Sequence, residues 1–459
     1  MLDQEKRLRT ENIPKLLLSL ALPSICAQIV TLLYNLVDRI YIGRMEDGIL
    51  AMAAIGICAP IVTVVTGFTC LFGRGGSPMA AICMGRGDKQ GAEQFLGNSF
   101  SMLCISSLLI TLLVQCCSEP LLTLFGASDN TLSYAVEYIT LYSWGTIFVQ
   151  LTVGMNYYIT TQGFAKMAMI TTMVGGVLNI LLDPLFIFGM DMGIRGAALA
   201  TVLSQFVSFL WAASFLFGRK TILKIRLCNL VPRFGTLKQI VILGSAPFFM
   251  KLSEGLLNIC FNNQAYRFGG DTAVSAMTIL FSIFQFILLP VEGVAQGSQP
   301  IIGHNYGAKQ YDRVRQTVKI AILSTVLFTM TATALVELFP SFFIRIFNSD
   351  PELIDVGRGM LRVYVGGLFV LGLNSTCQQT YNSLGEGKWA FFFAFFRKII
   401  LLIPLIYLLP EILPWGVIAV VLAEPISDWI TTVTNAWHLK KFIKRKLEPL
   451  PGSGNDEWG

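Results

Sequence analysis

Apolar residues in this chain fall in long unbroken blocks, separated by short connections rich in Gly, Pro, Lys and Arg. A helical block of about 20 apolar residues matches a hydrocarbon core about 30 Å thick. Strands crossing a bilayer would alternate at period two, and these blocks are continuous. The pattern predicts twelve helical spans, at 15–42, 52–82, 94–117, 133–158, 167–189, 194–217, 238–265, 273–301, 315–344, 356–383, 389–410 and 415–438. The expected fold class is an all-α polytopic membrane protein.

The pattern repeats itself. Gly76-Ser77 followed by Gly87-Asp88-Lys89-Gln90 returns as Gly297-Ser298 followed by Gly307-Ala308-Lys309-Gln310. Leu124-Phe125, Tyr142, Gly163 and Lys166 match Ile346-Phe347, Tyr364, Gly385 and Lys388. Pro184 and Gly196-Ala197-Ala198 match Pro404 and Gly416-Val417-Ile418. Six spans separate equivalent points, so the copies share one orientation: a parallel repeat about an axis along the membrane normal. The expected organisation is an N-terminal six-helix lobe (1–217), a basic connector (218–238), a C-terminal six-helix lobe (239–440) and a basic to polar tail (441–459). The polar end, Gly452–Gly459, is expected to hold no fixed structure. Two such bundles enclose a central cleft, a geometry that favours a transporter.

Charge sets the orientation. Only 14% of the 459 residues are charged and 54% are hydrophobic, where a soluble chain would carry about a quarter charged residues. Mean hydropathy is +0.63. Most of the 34 Lys and Arg fall on the side holding both termini, with six of them in Gly218–Lys238 (Arg219, Lys220, Lys224, Arg226, Arg233 and Lys238). The opposite connections hold Arg44, Arg195, Arg267, Arg345, Arg358 and Arg362. The positive-inside rule therefore predicts both termini in the cytoplasm. The net charge of +6 follows from that topology and calls for no nucleic-acid partner. No small-residue cleavage site follows the first apolar run, which is expected to be retained as a span. The ten cysteines show no metal or disulfide spacing and read as small apolar packers. His304 and His438 lie near span ends, so no metal constellation and no histidine relay is expected inside. A monomer is expected.

The candidate chemistry is acidic. In Leu178–Gly189 (LNILLDPLFIFG) Asn179 and Asp183 stand one turn apart on one helix face. Pro184 follows and frees the carbonyl of Ile180. A carboxylate at mid-bilayer costs about 2.5–3.5 kcal/mol on insertion scales, so such a helix faces a polar interior. A second acid, Asp38, stands in the first span beside Asn35. Asp183 as a structural acid bonded to a neighbouring helix is the plain alternative, and Asp38 tips the balance toward an ion site. Thr201 in GAALATVLS can add an oxygen, or can bond its own preceding turn. Asp38, Asn179, Asp183 and Thr201 together form an oxygen set fit for Na⁺, or for a proton shared between two carboxylates. The matching C-terminal region around Pro404 has no acid, which suggests one ion-linked bundle and one supplying walls.

Glu254 and Glu292, in the seventh and eighth spans, are candidates for substrate or coupling. For Glu254 an ion pair with Lys251, one turn earlier, is an equal alternative. Arg74 and Arg397-Lys398 either neutralise acids or reach to the interface. Gln285 and Gln150 join Asn35 as candidate polar groups in a soft cavity lined from the 33 Phe and 16 Met. Walker A, nucleophile-elbow and HExxH motifs are absent from the sequence. The expectation is therefore no enzyme and no cofactor, with an ion gradient as the energy source.

These residues resemble the multidrug and toxic compound extrusion (MATE) family of cation-coupled antiporters, especially its bacterial branch. The resemblance rests on Asn35-Leu36-Val37-Asp38 with Gly43, on Asn179–Pro184, on Gly193–Thr201 (GIRGAALAT), and on Gln296-Gly-Ser-Gln299-Pro300 through His304-Asn305-Tyr306-Gly307-Ala308. It implies a V-shaped pair of six-helix lobes in the bacterial inner membrane, exporting cationic or amphiphilic compounds in exchange for Na⁺ or H⁺. Asp38, Asn179, Asp183 and Thr201 would then form the N-lobe cation site. The acid that some members carry in the tenth span has no counterpart in Leu368–Gln379. The alternative within the same superfamily is a lipid-linked precursor flippase, which would line its cleft with Arg and Lys.

Overall fold

Apolar segments in lipid can satisfy their backbone only through internal helical hydrogen bonds. In the computed structural model, which describes residues 2–447, every regular element among the described residues is a helix. The spans are α1 (Ile13–Gly43), α2 (Gly48–Arg86), α3 (Lys89–Leu124), α4 (Asp129–Thr161), α5 (Ala165–Gly189) and α6 (Gly193–Leu216). The second set opens with one 74-residue run, Phe234–Gly307, broken at Gly270 into α7 (234–269) and α8 (271–307). Gly270 has φ 65° and ψ −160°, a region open in practice only to glycine, and it lets the chain reverse without a loop. Then come α9 (Tyr311–Leu338), α10 (Pro351–Ser383), α11 (Gly387–Ile412) and α12 (Val417–Leu447). Each span overlaps its predicted counterpart. The tail Gly452–Gly459 lies outside the described residues.

Three spans contain a π-helical turn: Cys70–Arg74 in α2, Leu185–Gly189 in α5 and Phe396–Leu402 in α11. The last two flank equivalent prolines of the repeat from opposite sides, one following Pro184 and the other preceding Pro404. A proline that denies the ladder its N–H favours such a register shift, and π-turns concentrate at functional sites.

The bundles meet at one end only. On the side holding both termini, α1 packs on α8 and α2 packs on α7 and α8. Backbone meets backbone there: a Cβ on Gly297 would strike the backbone of Ala21, and one on Gly85 the carbonyl of His304. Buried clusters on this side draw from both bundles. One joins Leu16, Leu17, Leu20 and Ala165 to Ile301 and Ala321, and another seats Ile240 of α7 among residues of α2 to α6. On the opposite side each cluster stays within its own bundle. So do the ion pairs Arg195–Glu137, Arg267–Glu411 and Arg362–Glu337. The bundles therefore part away from the termini.

Two fastenings carry no hydropathy signal. A short helix, Leu2–Thr10, crosses the seam: Leu8 is buried in the shared cluster. The Leu8 carbonyl accepts from Asn305 Nδ2 at 3.1 Å and from Arg313 Nη2 at 3.3 Å, while Arg9 donates to the Gly85 carbonyl at 3.1 Å. The basic connector is tied to the first bundle. Gln162 Oε1 accepts from the Ile222 and Leu223 amides and the Thr221 hydroxyl. Asn98 bonds both Asn229 and Arg233, and Arg226 pairs with buried Glu93 at 2.6 Å.

The seam makes a prediction. Gly297→Val forces a branched side chain against the α1 backbone and should destabilise by about 1–3 kcal/mol, as overpacking does. Gly56→Val, at a position with nothing within 4 Å of its Cβ, should be near neutral. Thermal unfolding of the two variants in detergent tests the contrast.

Candidate functional site

The N-bundle site is assembled by close helix approach. Gly176 on α5 faces α1, and a Cβ there would lie 3.0 Å from both Tyr34 and Val30. With no side chain in the way, α1 draws near enough to bring the Asp38 carboxyl beside that of Asp183. One turn before Asp183, Asn179 turns the same way. Its Nδ2 donates to Asp183 Oδ1 at 3.1 Å and toward Thr201 Oγ1 on α6 at 3.5 Å. Asp183 is fully buried and Asn179 nearly so; Asp38 and Thr201 are half-buried. Three helices thus bring together all four residues of the predicted oxygen set. Tyr138 and Tyr142, stacked with centroids 5.9 Å apart, close one wall, Tyr138 lying near both acids.

The site is short of positive charge. Among the described residues neither Asp38 nor Asp183 forms an ion pair. Asp38 Oδ1 and Asp183 Oδ2 are buried with no hydrogen-bond partner. Buried carboxylate oxygens are costly to leave unmet. The donors are all hard oxygens, which suits a monovalent cation or a proton. A borderline-soft metal such as zinc would want nitrogen or sulfur. Among the described residues no group of three or more His, Cys, Asp and Glu is placed to hold a metal.

The C-bundle is more than a wall, contrary to the expectation drawn from the acid-free region around Pro404. Its acids lie one helix later. Glu424 and Asp428 of α12 face Arg397, which the π-turn of α11 presents. Arg397 Nη2 donates to Glu424 at 2.9 Å and its Nε to Asp428, and all three side chains are buried. The 424/428 spacing is i,i+4, the same one-face signal that exposed Asn179 and Asp183. The spacing alone places both acids on one face of α12.

A cavity of about 200 Å³ opens beside this cluster, lined by α7, α8, α10, α11 and α12 and closed by Arg74 of the other bundle. Glu254, Glu292 and Gln285 line it, as does Lys398. Glu254 takes the ion-pair reading, with Lys251 Nζ at 3.1 and 3.2 Å from its two oxygens. Arg74 donates to Gln379 at 2.9 Å. Gln150 lies elsewhere: it is fully buried between α3 and α4, accepting from Ser106 at 2.7 Å, and does not line the cavity. Asn35 is exposed on α1 and is not bonded to the oxygen set.

The Arg397 cluster predicts a non-additive result. Arg397→Leu alone leaves two buried acids unpaired and should cost about 3–5 kcal/mol. Replacing Arg397, Glu424 and Asp428 together by Leu should recover most of that loss. Thermal unfolding of the single and triple variants in detergent distinguishes this from simple additivity.

Comparison with known proteins bears on both bundles. The family model MatE matches residues 23–185 and 248–408, one stretch in each bundle. The multidrug export protein MepA of Staphylococcus saprophyticus is 25% identical over 391 residues, 85% of each chain. MepA of Staphylococcus haemolyticus is 23% identical over 398 residues, 87% of each chain. Among solved structures, a MATE protein in complex with MaD3S matches with a TM-score of 0.90 at 24% identity, over 96% of this chain and 98% of that one. A MOP superfamily transporter from Pyrococcus furiosus, described as having a binding pocket of reverse polarity, matches with a TM-score of 0.89 at 23% identity over the same shares. These structural likenesses extend to the fold.

Proposed function

The chain belongs to the MatE family, and from that membership and the Asp38–Asp183 geometry we propose that it is a secondary active multidrug exporter. It exchanges Na⁺ or H⁺ for cationic or amphiphilic compounds by alternating access. The observation that carries this reading is that Asp38 and Asp183 sit together with no ion pair among the described residues, each leaving a buried oxygen without a partner. A fixed structural acid would have its charge met by the protein, as Glu424 and Asp428 do. These two await a charge from outside.

The coupling follows from electrostatics. With both acids ionised and no cation present, α1 and α5 repel near their close approach at Gly176. A cation or proton removes that repulsion, so the site's occupancy biases how α1 sits in its bundle. Alpha1 also forms the seam with α8, through Ala21 and Gly297. Ion binding and the opening of the cleft thereby act on one helix. Asn179 and Thr201 orient the acids and can supply neutral oxygens to Na⁺; Asp183, the more buried acid, is the natural seat for a proton. Export then runs on the ion gradient, each half-cycle rocking one bundle against the other.

We place the chain in the bacterial cytoplasmic membrane with the terminal side in the cytoplasm, on the strength of its Lys and Arg distribution. The cleft then opens outward. The flippase reading is weaker, since the cavity sets Glu254, Glu292 and Glu424 against Arg74, Arg397 and Lys398 and so offers a pyrophosphate headgroup no excess of positive charge.

Proteoliposomes with imposed Na⁺ and pH gradients, varied separately, test the proposal. The wild type should move ethidium against its gradient when one ion gradient is imposed. Asp38→Asn and Asp183→Asn should each lower that flux at least about tenfold, the kinetic equivalent of about 1.4 kcal/mol. Unchanged flux in both variants would overturn the ion-coupled mechanism.

A further inference from the structure

Among the described residues, the cavity of about 200 Å³ is lined by the C-bundle with one exception, Arg74 of α2. Arg74 ends the π-turn Cys70–Arg74, where α2 lies backbone to backbone against α7. A Cβ on Gly75 would strike the Ile240 carbonyl, and one on Gly244 the Leu71 carbonyl. From that seam the guanidinium reaches into the other bundle and donates to neutral Gln379 of α10 at 2.9 Å. It has no carboxylate within 4.0 Å among the described residues. It also lines a smaller cavity of about 20 Å³ that both bundles share, with Ser77, Tyr157, Gln299 and Asn382. The acids of the large cavity are Glu254, Glu292 and Glu424. Glu254 is paired with Lys251 and Glu424 with Arg397. Glu292 of α8 has no ion pair among the described residues, and it is the carboxylate near enough to act on the Arg74 charge.

We propose that Arg74 is a release residue: its charge stands in the cavity while the terminal side is closed, weakens the hold on a cationic substrate there, and is carried off when that side opens. This rests on the exporter reading and deepens it. Rocking one rigid bundle against the other leaves distances within the C-bundle unchanged. Arg397, Lys398 and the three acids therefore present the same field to a substrate in either state. Among the charged residues lining the cavity, Arg74 alone belongs to the N-bundle, and it sits on the seam that must part for the terminal side to open. With the seam closed, the guanidinium attracts Glu292 and repels a bound cation, and the low dielectric of the interior strengthens both effects. With the seam open, the guanidinium withdraws and leaves the Glu292 carboxylate to the substrate. The cavity then binds a cation more tightly when it faces the terminal side than when it faces the cleft. A ligand biases a two-state equilibrium only through such a difference in affinity. Gln379 suits this role: a neutral partner holds the guanidinium in place without cancelling its charge, as a carboxylate there would.

Two measurements separate the charge of Arg74 from its hydrogen bond. Ethidium binding to the purified full-length protein is read by fluorescence anisotropy, and initial rates of ethidium transport in proteoliposomes under an imposed ion gradient give kcat and KM. Arg74→Gln removes the charge but keeps a side chain able to bond Gln379. It should tighten ethidium binding about tenfold, as loss of a nearby like charge in a low-dielectric site does. Its kcat should fall because release slows, and KM should fall with it. Arg74→Lys keeps the charge and should hold affinity and kcat close to the wild type. A thermal unfolding midpoint within the wild-type range verifies that each variant is folded, and Arg74→Met repeats the test if Arg74→Gln is not. Unchanged or weaker binding in the uncharged variant, or the same change in Arg74→Lys, overturns the proposal while leaving the exporter reading intact. A wild type that does not move ethidium under any ion gradient overturns the exporter reading and this inference with it.

Discussion

Two carboxylates share one buried site with no base to meet them, and much else in the N-bundle exists to make that tolerable. Gly176 removes the side chain that would hold α1 off α5. Pro184 breaks the helical ladder directly after Asp183, and the π-turn that follows leaves backbone groups near the acids instead of a closed apolar cylinder. Asn179 spends its amide on Asp183 and Thr201, which fixes the acids' geometry without neutralising them. A guanidinium in that place would have stabilised the bundle further and closed the site to any ion. The arrangement gives up stability for an exchangeable charge, a balance that functional sites in lipid commonly strike.

The repeat makes the contrast internal to the molecule. Helices α11 and α12 are the C-bundle counterparts of α5 and α6, down to a π-turn beside the equivalent proline. In that frame Arg397 supplies covalently the positive charge that the Asp38–Asp183 site lacks. Buried acids are present in both copies; what differs is whether the counter-charge is covalently attached. One duplicated scaffold thus yields a responsive bundle and a fixed one. The fixed bundle is also the one with the open cavity, where a stable wall is useful for recognising a bulky ligand.

How much of this the sequence exposed depended on whether a signal was periodic. The twelve spans, the parallel repeat and the four residues Asp38, Asn179, Asp183 and Thr201 all announce themselves through hydropathy, spacing or an unlikely acid in an apolar run. Glu424 and Asp428 carry the same i,i+4 signature, but they stand one helix beyond the residues aligned with Pro404, so the repeat does not point to them. Gln150 was misplaced for a different reason. A span apolar all round does not reveal which face meets lipid, which meets a neighbour and which meets the cleft, so a lone Gln has no readable direction. Leu8, Gln162 and Asn98 were invisible in principle. Their work is done by hydrogen bonds to backbone groups distant in sequence, and such contacts leave no pattern in either partner.

Those unpatterned contacts bear on how the bundles can move. The seam on the terminal side is backbone against backbone, with glycines at the contact and the shared Leu16–Leu20–Ile301 cluster beside it, so it is rigid in compression. The far side has no shared cluster to break. Rocking about the seam therefore costs little on the open side, and the barrier to opening the terminal side is set by what bridges it. The bridge is specific: Leu8 in the shared cluster, and Arg313 and Asn305 on the carbonyls of Leu8 and Glu11 at the C-terminal end of the short helix. Each net hydrogen bond of this kind contributes about 0.5–1.5 kcal/mol. A handful of them, together with one buried leucine, comes to a few kcal/mol, the scale on which an ion binding at α1 can shift a two-state equilibrium. The short N-terminal helix thus holds the terminal side closed by an amount that, on the proposed mechanism, one bound cation could offset.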